Sequence, residues 1–509
     1  MAEEAGISRP FAVFRVDASA TIGSGHWVRS MALAQSLQAA GWRCGWATRE
    51  PAFSVGARSI GHGLDVLDIG GVAEEDEAAA MAAHWPDGAD VLVVDHYGRG
   101  RTFETACRPW AKRILVCDDA PNRHHDCDLL LDPGSPDSAA PYRALVPPGC
   151  RLLLGPAHAL VRPQFLAART NALRRRRVSS GLRRILIYFG TDIKATATTS
   201  ALSAVARSQL AAAVDVVVNA DAAHLSKLRS LAQQARQRVT VHTSVADMAA
   251  LMAAADLAFG APGSASWERA CLGLPSIVTV LADNQRANAA LLTQAEAAVV
   301  AGGSNLASLF AYCLKELAAD PARLTALSAA AARLCDGRGG LRVMLALLPD
   351  AHARDGRPVT LRPVVEDDAR RIFDWQQCDA TRRFAHNPEK PTWRQHREWL
   401  DAALADADRI TLMIEHGGAP AGVLRLDTKD VDNRERIVSI LTSPEKYRQG
   451  IASAALDLGR RLLPGAALRA RVHPQNEASC RLFAAAGYHP IGSDEWHRPP
   501  ASAPESRAT

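Results

Sequence analysis

From residue 11 to about residue 300, short apolar runs alternate with alanine-rich stretches of helical spacing, and this alternation limits the fold more than any other feature. The runs at 11–16, 90–95, 113–117 and 128–131 read as strands, and the stretch 26–40 reads as a helix closed by Gly41. Strands separated by helices imply parallel βαβ units and a doubly wound sheet. A basic segment at 174–177, followed by Ser-Ser-Gly, interrupts the pattern and marks a first boundary. A second alternating region follows, with strands expected at 184–188, 214–218, 239–242, 257–260 and 276–280 and helical stretches such as 246–254 and 267–272. The expected class is therefore α/β, with Rossmann-like domains over 1–173 and 178–346. Ligands would bind at the carboxyl ends of the strands. The stretch 347–358, rich in Asp, Gly and Pro, reads as a linker; a third unit spans 359–497, and 498–509 reads as a disordered tail.

A chain of 509 residues has room for about three domains. Its net charge of +5 is too mild to point to nucleic acid and suits anionic small molecules. The ten cysteines are scattered from Cys44 to Cys480 without a C-x-x-C pair, and Cys107, Cys117 and Cys127 fit neither a zinc site nor a disulfide framework. They read as reduced thiols of a cytoplasmic protein. The N-terminal stretch has no basic region followed by an apolar run, and no clean apolar run reaches ~18 residues, so neither a signal peptide nor membrane insertion is expected. No residue cluster calls for a metal.

The first group of chemistry-bearing residues lies at strand ends. Asp17-Ala-Ser-Ala-Thr-Ile-Gly-Ser-Gly-His-Trp-Val-Arg29 leaves the first strand and opens the first helix. Gly23 and Gly25 would let backbone approach a ligand, and the helix start offers unpaired amides to a phosphate. A glycine pair alone is also an ordinary tight turn; Asp17, His26 and Arg29 beside it shift the reading towards a site. Asp95, His96 and Tyr97 end another strand, and Asp118 and Asp119 follow the next. The second region supplies Gly190 and Asp192 after a strand, Gly263, Ser264 and Glu268 around a helix start, and Asn284 and Gln285 after a further strand. Glu268 is placed to hold ribose hydroxyls, or else to balance the helix dipole.

These residues carry a resemblance. D-x-S-x-x-I-G-x-G-H-x-x-R, V-V-D-H-Y, the D-D…R-x-H-x-C-D-L-L-L-D run, L-L-G-P…L-V-R-P-x-F and G-S-A-S-W-E…L-G-L-P…N-Q resemble the UDP-sugar hydrolases of the pseudaminic acid pathway, over about residues 11 to 290. The resemblance implies a two-domain GT-B fold and hydrolysis of UDP-2,4-diacetamido-2,4,6-trideoxy-β-L-altrose to UDP and free sugar. His26 would assist the attacking water, with Asp17 and Asp95 beside it, and Glu268 would contact the uridine part. The remaining strand-end residues, Gly23, Gly25, Arg29, His96, Tyr97, Gly190, Asp192, Gly263, Ser264, Asn284 and Gln285, would line the UDP-sugar site. Two departures bear on substrate preference: Phe189-Gly190-Thr191-Asp192 is one glycine short of F-G-G-x-D, and Pro133-Gly134 replace polar residues after L-L-L-D. The chemistry needs a base for water and positive dipoles for the leaving diphosphate. Histidine suits the first task.

The last third holds a second group. Tyr447-Arg-Gln-Gly-Ile-Ala-Ser-Ala-Ala-Leu456 is a glycine turn running into a helix, and Val472-His-Pro-Gln-Asn-Glu-Ala-Ser-Cys-Arg-Leu-Phe-Ala-Ala-Ala-Gly-Tyr488 is a second helix with a glycine stop. The region 359–493 resembles the GNAT acetyltransferases. The resemblance implies acetyl-CoA as cosubstrate, held by Gln449, Gly450, Ile451, Ala452 and Ser453 with Asn476 and Ser479. Asp374-Trp375, Arg382-Arg383, His396-Arg-Glu-Trp399 and Gly422–Asp427 look like the sugar-nucleotide N-acetyltransferase branch of the same pathway, with Arg382, His396 and Trp399 on the acceptor side. For His396, a packing role in its H-x-x-W pair is an equal reading. Tyr447 stands where Arg or Gln is usual, and Phe483 stands where many relatives carry a Tyr general acid.

The combined expectation is a bifunctional enzyme that acetylates a UDP-4-amino sugar and hydrolyses the product. The alternatives are a GT-B glycosyltransferase with an acetyltransferase appendage, and a sugar-nucleotide sensor with a non-catalytic GNAT half.

Overall fold

The computed structural model describes residues 9–17, 25–49, 65–134, 139–178, 181–190, 195–218, 224–303, 305–385, 387–429 and 435–501; all counts below are of these residues. They form two compact units, one mainly from residues 12–340 and the other mainly from 341 onward.

The first unit holds two sheets. The strands β1 (Phe11–Val16), β2 (Arg43–Thr48), β3 (Asp65–Asp68), β4 (Val91–Asp95), β5 (Ile114–Cys117), β6 (Leu129–Asp132) and β7 (Arg151–Leu154) assemble in the order β3-β2-β1-β4-β5-β6-β7. The strands β8 (Arg184–Tyr188), β9 (Ala213–Val217), β10 (Val239–His242), β11 (Leu257–Gly260), β12 (Ser276–Val278) and β13 (Val299–Val300) assemble as β10-β9-β8-β11-β12-β13. The pairs β1–β4 and β8–β11 are parallel, and each marks the point where strand order reverses. Loops diverge at such a point and leave a crevice beyond the strand ends. Val16 pairs with Asp95 at one switch point, and Tyr188 pairs with Gly260 at the other.

β1 is buried along its whole length, Arg15 included. A buried guanidinium needs partners. Arg15 finds Glu77 at 2.9 Å and Asp17 at 2.8 Å. Glu77 also meets Arg49 at 2.8 Å and Arg99 at 2.7 Å. Burial would raise the Glu77 carboxyl, but hydrogen bonds from Arg99, Arg15 and Arg49 hold it at about 2.

The two-sheet architecture matches the expectation, with one corrected boundary. The basic segment 174–177 lies inside the helix Pro163–Val178. That helix buries Phe165 and Ala172 in the core of the second sheet, beside Leu186, Met252 and Leu272. Arg175 and Arg176 satisfy carbonyls of Ala253, Ala255 and Leu272. The crossing between sheets therefore precedes Pro163, because the arginines are helix-packing residues.

In the second unit, β14 (Val359–Pro363), β15 (Ile410–His416), β16 (Ala419–Thr428), β17 (Glu435–Thr442), β18 (Ala467–Arg471), β19 (His489–Pro490) and β20 (Glu495–Arg498) form a mixed sheet, β14-β15-β16-β17-β18-β20-β19. Only the β17–β18 pair is parallel among those whose register is defined. The expected linker is folded: His352 bridges Pro358, and Ala353 N–H donates to Arg357 O at 2.9 Å. The start of the expected tail is folded too, since Arg498 ends β20 and Ala501 is buried and donates its N–H to Pro464 O at 2.8 Å. Among the described residues, no helix is long and apolar enough to cross a membrane.

Candidate active sites

The helix Gly25–Ala39 starts beyond β1, so its first turn faces the switch point. This puts His26 and Arg29 beside Asp95, the last residue of β4. His26 Nδ1 lies 2.5 Å from Asp95 Oδ1. Two lone pairs cannot face each other at that distance, so Nδ1 carries a proton and donates it to the carboxylate. Arg29 Nη2, 3.0 Å from the same Nδ1, then donates instead to Asp95 Oδ1 at 2.6 Å, while Arg29 Nε donates to Oδ2 at 2.7 Å. Ser30 Oγ donates to Asp95 Oδ2 at 3.0 Å. Burial alone would raise the Asp95 carboxyl, but Arg29 and His26 hold it well below the usual carboxylate range. Asp95 is therefore a fixed anion that orients His26.

His26 and Arg29 line a cavity of about 730 Å³. Tyr97 stands edge-on to His26, with ring centroids 4.7 Å apart. Its hydroxyl donates to Asp119 Oδ1 at 2.7 Å and accepts from Asn284 Nδ2 at 3.1 Å. Asp119 in turn accepts from Arg29 at 3.2 Å. The wall supplied by the second sheet carries Gly263, Ser264 and Glu268, and Gly25 faces it: a Cβ there would sit 3.8 Å from Ser264 Oγ. Glu268 is buried and takes a two-pronged contact from Arg162, at 2.6 and 3.1 Å. Tyr188, Trp267 and Met248 add apolar surface of the kind that packs a planar base. Gly190, Asn284 and Gln285 also line the cavity. Gln285 Oε1 accepts the Leu281 N–H at 2.9 Å. The Pro133-Gly134 departure forms part of the wall: a Cβ at 134 would come within 2.7 Å of Asn288 Oδ1, so a larger residue there would have to displace the Asn288 amide.

Not every expected residue is there. Asp17 is 4% exposed, pairs with Arg15 and His96, and does not line the cavity; nor does His96. Burial opposes the Asp17 charge, but His96 and Arg15 hold its carboxyl far below its ordinary value. Asp17, expected in the catalytic group, thus belongs to the ion-pair cluster around Arg15, and His96, expected among the UDP-sugar contacts, pairs with Asp17 there. Gly23 and Asp192 lie outside the described residues. Arg162 was not singled out by sequence reasoning, although it stands in the L-V-R-P stretch; its partner is 106 positions away.

In the second unit, β17 and β18 pair from Glu435↔Ala467 to Val438↔Ala470 and no further, while β17 runs on to Thr442. The strands thus part and leave that edge of β17 without its neighbour. Next to the gap, the helix Ile451–Leu462 begins at Gly450 with no side chain capping its first amides. Gln449, Gly450, Ile451, Ala452 and Ser453 form this start, and unpaired amides at a 12-residue helix suit a pyrophosphate. Asn476 caps the helix Glu477–Ala485 by accepting from Ser479 N at 3.1 Å. Phe483 is buried edge-on against Tyr488.

His396 is 1% exposed, its Nε2 meets Ala369 O at 2.8 Å, and Phe373, Trp393 and Trp399 surround its ring. Burial pushes its pKa down. This corrects the acceptor reading: His396 is a packed core residue. Trp399 packs on the same core and under Arg425, and Arg382 binds the Gln376 and Asn387 carbonyls.

Residues 359–489 match the model of the acetyltransferase (GNAT) domain family. In the N-terminal part, a 161-residue stretch, 30% of this chain, is 29% identical to the UDP-2,4-diacetamido-2,4,6-trideoxy-beta-L-altropyranose hydrolase of Campylobacter jejuni and covers 52% of it. The chain thus spans about half the length of that curated relative. Among solved structures, MurG of Acinetobacter baumannii aligns with a TM-score of 0.46 at 15% identity, over 66% of this chain and 98% of that one. The GNAT domain of S. lividans PAT aligns at 0.25 and 23% identity, over 29% and 93%. The chain joins a GNAT domain to a region similar to a UDP-sugar hydrolase.

Proposed function

We propose that this chain is a bifunctional sugar-nucleotide enzyme of nonulosonic acid synthesis. One unit transfers an acetyl group from acetyl-CoA to a UDP-4-amino-4,6-dideoxy-N-acetyl-β-L-altrosamine. The other hydrolyses UDP-2,4-diacetamido-2,4,6-trideoxy-β-L-altropyranose. The observation that carries the hydrolytic reading is His26, oriented by Asp95, on one wall of a cavity whose other wall holds the Arg162–Glu268 pair.

In this reading the water oxygen bonds to the anomeric carbon and the bond from that carbon to the diphosphate oxygen breaks. The electron pair leaves with UDP, and the water proton passes to His26 Nε2. Asp95 balances the imidazolium, and Arg29 keeps Asp95 ionised and aimed. The first turn of the helix Gly25–Ala39 meets the growing charge on the diphosphate. Glu268 offers acceptor oxygens to ribose hydroxyls.

For acetyl transfer, the residues at Gln449–Ser453 would hold the pyrophosphate of acetyl-CoA, which supplies the thioester. The sugar amine bonds to the carbonyl carbon and gives up a proton to solvent, the carbon–sulfur bond breaks with its electron pair going to sulfur, and the thiolate takes up a proton. Phe483 has no hydroxyl to give it, so that proton comes from water or another group.

A coupled assay with purified protein, acetyl-CoA and the UDP-4-amino sugar, following free thiol and UDP together, tests both halves. The expected result is release of both, with UDP release lost in His26→Ala and thiol release retained. Thiol without UDP would overturn hydrolysis in favour of transfer to another acceptor. UDP release from the acetylated sugar without any thiol would reduce the GNAT half to a binding module.

A further inference from the structure

The loop that would hold the acetyl-CoA pyrophosphate contains a backbone outlier. Arg448 has φ of 63° and Gly450 has φ of 84°, so two of three consecutive residues are left-handed. For glycine this is free; for arginine it is strained, and such strain persists only where neighbouring structure enforces it. The enforcing structure comes from outside the residues that match the acetyltransferase family. The stretch 351–358, expected to be a linker, is a tight hairpin that closes on the loop. Arg354 N–H donates to Gln449 O at 2.8 Å, and Arg354 Nη1 donates to Arg448 O at 3.2 Å. The Arg354 side chain also covers Gly450, where a Cβ would come within 3.0 Å of Arg354 Cγ.

The hairpin is itself tied down. Val359 N–H donates to Ala351 O at 2.7 Å, Gly417 N–H donates to Pro358 O at 2.8 Å, and Ala353 is buried. Asp355 Oδ1 meets the buried His416 Nε2 at 3.0 Å. Its neighbours therefore fix the hairpin on the sheet, and it can transmit that rigidity to the loop.

We infer that the hairpin 351–358 is a built part of the acetyl-CoA site and that Arg354 is a positioning residue for its pyrophosphate loop. By taking the carbonyls of Arg448 and Gln449, Arg354 holds the peptide units in the orientation that turns the following amides to one side. Left-handed residues interleaved with a residue of negative φ can turn successive amides into a concave anion seat. The inference rests on the acetyl-CoA reading of the second unit. It adds that the seat is assembled by a segment that sequence patterning assigns to no domain.

The test is acetyl-CoA binding to the full chain by calorimetry, with steady-state acetylation alongside. Arg354→Ala keeps the backbone bond to Gln449 O but loses the side-chain bond to Arg448 O and the cover over Gly450, and is expected to weaken acetyl-CoA binding about five- to tenfold. KM for acetyl-CoA rises accordingly, while kcat and the melting temperature stay near wild type. Arg354→Lys should recover only part of the loss, because an ammonium lacks the planar fork. In an Arg448→Gly background the left-handed conformation needs no enforcement, so adding Arg354→Ala should change affinity less than twofold. Equal losses in both backgrounds would overturn the positioning role in favour of direct contact between Arg354 and the ligand. Wild-type-like binding by Arg354→Ala would overturn the inference while leaving the acetyl-CoA reading intact. Failure of the wild-type chain to bind acetyl-CoA would overturn both.

Discussion

Two buried histidines stand beyond the strand ends of the first sheet, each against a carboxylate. His26 meets Asp95 at 2.5 Å; His125 meets Glu104 at 2.7 Å with one nitrogen and faces Asp118 at 3.5 Å with the other. Both rings are buried, at 7% and 0% exposure. The difference lies in what stands at the second nitrogen. His125 is enclosed between two acids, and although burial disfavours its charge, Asp118 and Glu104 push its pKa up to about 9. His26 has one acid, already matched by Arg29, and its ring borders the cavity. The same ingredients thus give a cation enclosed between two acids in one place and a ring open to the cavity in the other. What separates them is access, not residue type.

The sharpest way to break this comparison is His26→Ala. Removal of a general base lowers hydrolysis by about 10²- to 10⁴-fold. Melting should move little, because Arg29 and Ser30 still satisfy Asp95. UDP release under saturating substrate checks it, and a loss below tenfold would remove His26 from the chemistry.

His125→Gln should show the reverse pattern. It leaves two buried carboxylates without their shared cation, and breaking a buried pair of this kind destabilises by about 3–5 kcal/mol. Urea unfolding measures that loss, and kcat of the folded protein should stay near wild type. The pH dependence has a definite sign. The folded protein holds the His125 proton up to about pH 9, against an ordinary value of 6.5. This contribution is complete below pH 6.5 and is lost as pH rises through 9. The wild-type urea midpoint should therefore fall across that window more steeply than that of His125→Gln. Parallel slopes would mean that His125 is not the titrating group.

How much of this contrast was legible depends on range. The strand β1 and the strand ending at Asp95 stood out as short apolar runs, and the rule that ligands gather at strand ends picked out His26, Arg29 and Asp95 together. The same rule overreached at Asp17 and His96. Position at a strand end does not say whether a side chain turns to the crevice or back to a buried arginine, and Arg15 lies inside an otherwise apolar strand. The strands β2 and β3 escaped notice because the first is broken by Cys-Gly and the second is four residues with charged ends. His396 carried no signal to separate a ligand from a ring packed among Trp393, Phe373 and Trp399. The hairpin 351–358 has linker composition; only its contacts reveal a fold.

Glu268→Gln extends the comparison to a third buried acid, this one at the cavity. Its partner Arg162 remains, but one acceptor oxygen is lost to both arginine and ligand. KM for the UDP-sugar should rise about tenfold while kcat changes less than about threefold, the signature of lost ground-state binding. A fall in kcat with unchanged KM would move Glu268 from holding the nucleotide to the reacting centre.

The smallest effect is expected at Tyr97, whose hydroxyl is connected to His26 only through other groups. Burial, then the neighbouring Asp119, push the Tyr97 hydroxyl above its usual range, so it remains a donor at neutral pH. It donates to Asp119, Asp119 accepts from Arg29, and Arg29 aims Asp95. Tyr97→Phe removes one link of this chain and the acceptor for Asn284, but leaves the ring that stands edge-on to His26. Two hydrogen bonds at a side chain 40% exposed, one to a carboxylate already paired with Arg29 and one from Asn284, set the scale: kcat/KM should fall about two- to fivefold, with stability within about 0.5 kcal/mol. Asn284→Ala should cost a similar factor and add little on top of Tyr97→Phe, since the two share the same bond. A loss at Tyr97→Phe as large as that of His26→Ala would place the hydroxyl on the substrate itself, and access rather than connection would again be the deciding property.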